Sequence, residues 1–426
     1  MKLKCSRGSG PDRAGLPGGL VNTGESDRVT EQASEYLRIL MLDDGRQSLP
    51  FMRSLKRAGH HVTVACGSRL SPGYFSRYPN RRLVWADYFR DPDRFTEQMM
   101  CYLRRHRPDV TLSVGDISSG ILARNKHQVG QYTRLTVPDL EIFDRAADKA
   151  NTMDFCMTHG IPCPVTFLSD ETDLDVIAAN TPFPAMVKPR RGIGAIGLRR
   201  VENARQLKRL YPALREQFGH LLIQEFIPLV NGTQFQAEAF LDDASRMKVC
   251  MVIGKPRFFP VTGGTSVANF TVDRPDIQDS VRRLLEGIGW KGAADVDLIL
   301  DPRDNVPKIL EINPRVTAGI KIGFAAGIDY ADLHVRLAMG RPIPVIDRYK
   351  LGVYSRNLCM DVLWYLFSDR RARRSAWPPF FKFFGKNICY QTFGADDPLP
   401  LLGFALCNVR KYANRRVWKT KLGRDS

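Results

Sequence analysis

Apolar residues recur in short runs along the first third of the chain, and the spacers between those runs have helical period. Residues 37–43 (LRILMLD), 61–66 (HVTVAC), 81–87 (RRLVWAD) and 109–116 (DVTLSVGD) read as strands, whereas 48–59 and 92–107 predict helices. Continuous apolar strands alternating with helices predict a parallel sheet covered on both faces. A second pattern begins near Arg145. It runs through a helix over 145–159, a strand at 164–169, a helix, the strand 185–188 and a glycine-rich turn, then further strands interrupted only by helices near 204–218 and 276–288. This predicts an α+β segment with mostly antiparallel pairing. Beyond about residue 340 the periodicity fades, with helices expected near 357–368 and 403–417 between Pro-rich and aromatic stretches. Residues 1–35 have no apolar period and are rich in Gly, Ser and charge, which predicts a flexible tail.

Composition narrows the class. With 426 residues, 43 % hydrophobic and 25 % charged, the chain matches ordinary globular usage and excludes a collagen, a disordered chain or a disulfide miniprotein. No run approaches the roughly 18 to 20 apolar residues that span a bilayer, and the N-terminus lacks an apolar leader, so a cytoplasmic location is expected. Nine scattered cysteines without a Cys-x-x-Cys pair signal neither zinc nor a disulfide framework, and are expected as reduced, mostly buried thiols.

Charge changes the picture at one end only. Of the formal +18, +11 falls on residues 341–426, which hold 17 Lys+Arg and 6 Asp+Glu together with 15 of the 41 aromatics. Trp377-Pro378-Pro379-Phe380-Phe381-Lys382-Phe383-Phe384 follows directly on Arg370-Arg371-Ala372-Arg373-Arg374. Two readings of this basic aromatic extension stay open. The aromatics pack on the preceding domains as a cap with solvated arginines, or the segment docks peripherally on the inner, anionic face of a membrane. Nucleic-acid binding is not favoured, because no RNP-like, helix-turn-helix or zinc pattern accompanies the charge.

The sharpest local signal is Lys188-Pro189-Arg190-Arg191-Gly192-Ile193-Gly194-Ala195-Ile196-Gly197. Its glycines fit G-x-G-x-x-G, but a strand-like GLRRV follows where a dinucleotide turn needs a helix, so the segment reads as a hairpin flap. Such a flap can lie over a polyphosphate, its N–H groups aimed at oxygens and Lys188 supplying charge; an ordinary glycine-rich turn is the alternative. Downstream, Asp297 in AADVDLIL and Glu311-Ile312-Asn313 in KILEINPR lie on two strand-like runs joined by the turn signal Asp301-Pro302-Arg303-Asp304-Asn305. Glu311 and Asn313, two apart, leave the same face of one strand, and the hairpin brings Asp297 beside Glu311. Three oxygen-bearing side chains on one face suit Mg²⁺ (or Mn²⁺), which prefers hard ligands and keeps positions open for phosphates.

With these residues in place the chain resembles the ATP-grasp superfamily of carboxylate–amine ligases, carbamoyl-phosphate-synthase-like members included, over roughly residues 37–340. The resemblance implies a mixed α/β and α+β fold: a Rossmann-like pre-ATP-grasp domain at 36–140, a two-lobed ATP-grasp domain at 141–340 and the extension at 341–426. It implies that Lys149 and Lys188 meet ATP phosphates beside Gly192 and Gly194. It further implies that Gln224, Glu225, Phe226 and Ile227 form the hinge reading adenine, with Glu225 holding the ring, and that Gln234 stands where many relatives carry an acid for the ribose. Asp297, Glu311 and Asn313 take the magnesium positions, and Arg315 stabilises the transferring phosphoryl group. The substrate-facing segment contains Arg257, suited to a carboxylate, and the turn with Gly264 and Thr265; an inter-strand turn with a solvated arginine is the alternative there. The implied activity is an ADP-forming carbon–nitrogen ligase acting on a small carboxylate and an amine, amino acids or peptides before purine precursors, with a homodimer as the family analogy. The competing readings are an ATP-binding regulatory or membrane-associated protein without ligase turnover and, last, a nucleic-acid binder.

Overall fold

The computed structural model describes residues 36–169, 172–192, 196–230, 232–261 and 264–412. The expected tail over 1–35, Gly194, and the end of the helix expected over 403–417 lie outside the described residues.

Four parallel strands open the fold: β1 (Arg38–Met41), β2 (His61–Cys66), β3 (Arg81–Val84) and β4 (Val110–Leu112), in the order β3-β2-β1-β4. Ile39, Met41, Val62 and Val64 pack with Phe51, Met52 and Leu55 of the helix Ser48–Arg57. Leu40, Leu42 and Ala65 pack with Phe95, Met99 and Leu103 of the helix Pro92–His106. Both faces are thus covered, which is why these strands read as unbroken apolar runs.

A small antiparallel sheet follows, with β5 (Thr166–Leu168), β6 (Ala185–Pro189), β7 (Arg199–Val201) and β8 (Leu221–Glu225) in the order β5-β8-β6-β7. The helix expected over 145–159 is in fact two, Leu140–Ala147 and Lys149–Thr158. Asp148 stands between them in extended conformation and accepts from the Ala150 N–H at 3.0 Å and from Arg190 Nε at 3.0 Å. A short carboxylate at an N-cap satisfies donors that helix continuation would leave to the backbone, and the break makes Lys149 the first residue of its helix.

The large sheet has seven strands: β9 (Gln234–Leu241), β10 (Met247–Phe259), β11 (Thr265–Val272), β12 (Gly292–Leu300), β13 (Pro307–Asn313), β14 (Tyr354–Arg356) and β15 (Ile388–Tyr390), ordered β13-β12-β9-β10-β11-β14-β15. Ala237, Ala239, Val296, Leu298 and Ile309 pack on the helix Pro275–Gly287. The opposite face carries Phe240, Met251 and Ile253 into the core shared with the parallel sheet, then becomes polar toward Gln236 and Asp297. The two last strands, three residues each and too short for a periodic signal, tie the C-terminal extension into this sheet.

In that extension Trp364 and Phe380 are buried beside Phe259 and Val267, whereas Phe381 and Phe384 are 69 % and 90 % exposed. The packed reading therefore holds for part of the aromatics only. The described cysteines are free thiols; Cys66, Cys156 and Cys250 are buried, four are half-buried and Cys101 is exposed, so fewer are buried than expected. Among the described residues no helix is long and apolar enough to cross a membrane.

Candidate active site

Three neighbouring strands set the site. Alternation along QFQAEAF, DVD and EIN sends every second side chain to one face, and the register aligns Gln236, Asp297 and Glu311 in one row and Glu238, Asp295 and Asn313 in the next. The intervening Ala237 and Ala239 are small enough to pack tightly on the opposite face. This polar grid floors a cleft of about 410 Å³. Of the sequence-predicted residues, Lys149, Lys188, Gly192, Gln234, Gly264, Thr265, Asp297, Glu311, Asn313 and Arg315 border it. At Gly264 a Cβ would sit 2.7 Å from the Phe259 carbonyl oxygen, so the β10–β11 turn closes only without a side chain.

Cations reach the grid from three sides. Lys149 Nζ lies 3.0 Å from Glu311 Oε2 and donates to the Gly192 carbonyl at 3.3 Å, linking the helix start, the flap and β13. Lys188 on β6 donates to Gln224 Oε1 at 2.5 Å, and Gln224 in turn donates to Thr166 Oγ1 at 2.9 Å. Burial lowers the Lys188 ammonium to about 8, with Glu311 pulling it back up and Lys149 pushing it further down. Lys255 on β10 donates to Asp297. Arg315 donates through Nε to Asp116 Oδ2 at 2.9 Å, through Nη1 to Asp295 Oδ2 at 3.2 Å and through Nη2 to Asn313 Oδ1 at 3.3 Å. Asp116 opens the helix after β4, so the carboxyl end of the parallel sheet meets the grid at this arginine, where open parallel sheets place ligands.

The acids behind the cleft are crowded. Burial, and then the charge of Asp297, pushes Asp295 up to about 7, while burial followed by Asp295 drives Glu238 well above the carboxylate range. Glu238 Oε2 accepts from the Thr317 N–H at 2.9 Å, but Glu238 Oε1, Asp295 Oδ1 and Gln236 Nε2 are buried without a hydrogen-bond partner. Such orphaned groups are expensive unless a ligand or ion completes them. Among the described residues no three His, Cys, Asp or Glu side chains are spaced to hold a metal by themselves. Asp297, Glu311 and Asn313 offer two carboxylates and a carboxamide, a hard oxygen set that fits a magnesium ion taking the rest of its shell from phosphates.

Two predicted roles are corrected by the geometry. Arg257 does not face the cleft: its guanidinium is 1 % exposed, donates to Asp361 at 3.2 Å, to the Tyr354 hydroxyl and to the Pro378 carbonyl at 2.8 Å, and lies 4.9 Å from the Trp364 ring centre. Two register shifts around it in the β10–β11 pairing turn it inward. The Glu225 carboxylate accepts from the Val165 N–H at 3.0 Å and from Arg303 at 2.8 Å, so its oxygens are committed within the protein rather than to a ring. Gln224 acts behind the wall as the partner of Lys188, the Phe226 N–H is held by the Pro184 carbonyl at 2.9 Å, and Ile227 is buried. Sequence reading missed Asp295, Glu238, Gln236 and Asp116, although the alternation of QFQAE and DVD carried a signal for the first three, and it placed Lys255 in the substrate-facing segment without a role of its own. It also missed Gln391, just past β15, which borders the cleft while only 2 % exposed and leaves Oε1 without a partner.

Comparison with known proteins agrees with this geometry. A family model described as an ATP-grasp domain matches residues 146–319. The chain is 24 % identical over 308 residues to a D-aspartate ligase of Enterococcus faecium, covering 66 % of this chain and 71 % of the relative. It is 28 % identical over 276 residues to a probable alpha-L-glutamate ligase of Stenotrophomonas maltophilia, covering 60 % and 92 %. Among solved structures, the biotin carboxylase domain of a 2-oxoglutarate carboxylase from Hydrogenobacter thermophilus, in complex with MgADP, superimposes with a TM-score of 0.64 at 15 % identity over 75 % of this chain and 74 % of that one. The cleft and the sequence match agree, and residues 146–319 of the chain are an ATP-grasp domain similar to that of amino-acid ligases.

Proposed function

We propose that the chain uses Mg²⁺-ATP to activate the carboxylate of an amino acid or short peptide and joins it to an amine, releasing ADP and phosphate. The observation that carries this reading is the polar grid of β9, β12 and β13 ringed by Lys149, Lys188, Lys255 and Arg315. Support for an amino-acid substrate comes from the names of the relatives and from the basic Arg46, Lys255 and Arg315 on the cleft, which suit an anionic substrate. The proposed organisation is a pre-ATP-grasp domain at 36–140, the ATP-grasp domain at 141–340 and the extension at 341–426. A cytoplasmic enzyme, active as a homodimer, is the corresponding setting.

In this mechanism Lys149 and Lys188 bind the phosphate chain, Lys188 kept in place by Gln224, and the flap at Gly192 covers it. Held by Asp297, Glu311 and Asn313, the magnesium ion would neutralise phosphate oxygens. A substrate carboxylate oxygen forms a bond to the γ-phosphorus as the bond to the ADP oxygen breaks, and the guanidinium of Arg315, fixed by Asp116 and Asp295, faces the charge on the transferring group. The deprotonated amine then attacks the acyl carbon, phosphate leaves, and the amine nitrogen loses its second proton. Positioning and charge account for the step, and no protein nucleophile takes part.

Thermal melting with ATP, with and without Mg²⁺, tests the reading without knowledge of the substrate. Ligand at 100 times its dissociation constant adds about 2.7 kcal/mol. A magnesium-dependent rise, followed by ADP release on addition of acidic amino acids and amines, is the expected result. No rise in melting temperature and no ADP release would refute the proposal.

A further inference from the structure

We propose that the surface formed by the end of the helix Leu358–Phe367, the helix Arg370–Ser375 and the segment 377–386 docks this protein on an anionic lipid bilayer. Five large apolar side chains project there: Leu366 (61 % exposed), Phe367 (50 %), Trp377 (62 %), Phe381 (69 %) and Phe384 (90 %). The same segment buries Trp364 and Phe380, so it has a core to pack into and still leaves these five outside. Isolated exposed apolar residues are ordinary, but five of them between positions 366 and 384, in a segment that also buries its own core residues, point to an interaction site.

The patch is held in shape from below. Arg356, fully buried, lies 4.7 Å from the Phe383 ring centre and donates to the Lys382 carbonyl at 3.1 Å. Tyr365 ties the parts together, with the Phe381 ring 5.4 Å away and the Arg373 guanidinium 5.1 Å from its own ring centre. Arg373 also donates to the Leu366 carbonyl at 3.3 Å, which joins the two helices. The loop therefore presents Phe381 and Phe384 from an ordered base.

Charge selects the partner. From Arg370 to Lys386 the chain carries six basic residues and no acidic one, and Arg370, Arg371, Arg374, Lys382 and Lys386 are exposed. The nearby acids point elsewhere: Asp361 is buried between Arg257 and Arg356, and Asp369 caps the helix that follows it. Aromatic and aliphatic side chains flanked by cations are the composition that settles at a headgroup boundary, where rings enter the interface and cations meet anionic lipid. Leu366 and Phe367 add apolar surface that a stacked nucleic-acid base would not use. Trp377 also borders a groove of about 460 Å³ that reaches Gln234 and Lys255 of the catalytic cleft, so docking would hold one mouth of that cleft at the lipid surface.

The test is co-sedimentation of the full chain with vesicles of phosphatidylcholine alone and of phosphatidylcholine mixed with phosphatidylglycerol, at low and high salt. The expected result is binding to the anionic vesicles only, weakened by salt. Binding should fall about fivefold for each basic charge removed and at least about tenfold in a Phe381→Ser, Phe384→Ser double variant. Both phenylalanines are exposed, so an unchanged melting temperature is the control for folding. No sedimentation with anionic vesicles overturns the proposal, as does equal binding by wild type and the double variant. A dimer that the double variant converts to monomer, without vesicle binding, would assign the patch to self-association. Single-stranded RNA bound in place of vesicles would assign it to nucleic acid. Either result refutes the membrane proposal.

Discussion

Two clusters of buried charge sit on the same seven-stranded sheet, one at its β10–β14 side and one on β9, β12 and β13. In the first, Asp361 receives both Arg257 and Arg356, at 3.2 and 2.6 Å, with all three side chains at 1 % exposure or less. The ring faces of Trp364, Phe380 and Phe383 cover the guanidinium groups, and only Arg257 Nε and Arg356 Nη2 lack a hydrogen-bond acceptor, the latter already in the ion pair. Burial raises the Asp361 carboxyl while both arginines pull it down. In the second, Glu238, Asp295, Asp297 and Glu311 crowd four carboxyl groups together, three buried polar atoms have no partner, and Glu311 remains 30 % exposed. A closed, desolvated ion pair can do little beyond holding elements together. An open set of carboxyl groups, with cations on its rim and unpaired buried atoms behind it, is the condition of a binding site.

Single substitutions separate the two clusters. Asp361→Ala leaves two buried guanidinium groups without their carboxylate, so a loss of about 3–5 kcal/mol is expected in chemical denaturation. Glu311→Gln should leave the unfolding midpoint unchanged and lower turnover by about 10²–10³, or about 3–4 kcal/mol in the barrier, as measured by ADP release. A Glu311→Gln protein that unfolds early, or an Asp361→Ala protein that does not, would remove the distinction.

Two smaller effects sharpen it. The Lys188 ammonium, held at about 8, is the form that pairs with phosphate. Nucleotide affinity should therefore be full below pH 8 and fall by up to about tenfold per unit above it, with proton uptake seen by calorimetry in buffers of different ionisation enthalpy. Without nucleotide the sign reverses. Between about pH 8 and the ordinary lysine value of 10.5 the unfolded chain holds the extra proton, so this group makes stability rise with pH. The smallest expected change is Gln391→Leu, which removes an unpaired buried carbonyl. It should raise KM for one substrate about five- to tenfold, close to the worth of one hydrogen bond, with no loss of stability.

Much of this site was legible in the chain because its signals are local. Glu311 and Asn313 share a face through strand alternation alone, and the turn at Asp301–Asn305 announced the β12–β13 hairpin that sets Asp297 opposite Glu311. The β6–β7 hairpin was readable from the strand that follows its glycines. Glu238, by contrast, faces Asp295 from 57 positions away in the chain, and only the β9–β12 register makes them neighbours. Asp116, at the start of the helix after β4, meets Arg315 just past β13, and Gln391 follows a strand of only three residues.

Local sequence was enough for most of the strands and helices up to β13, the acids of one hairpin and the resemblance they carry, since alternation, period and turn chemistry act over a few residues. Only the packing of distant elements settled that Arg257 closes a core pair, that Glu238 and Asp295 each keep one buried oxygen without a partner behind the cleft, and that the C-terminal extension both lines the cleft and exposes aromatic and basic residues. Those outcomes depend on strand register, a local shift in β10 and which elements exclude water from a given charge, and none of these is written in the order of neighbouring residues.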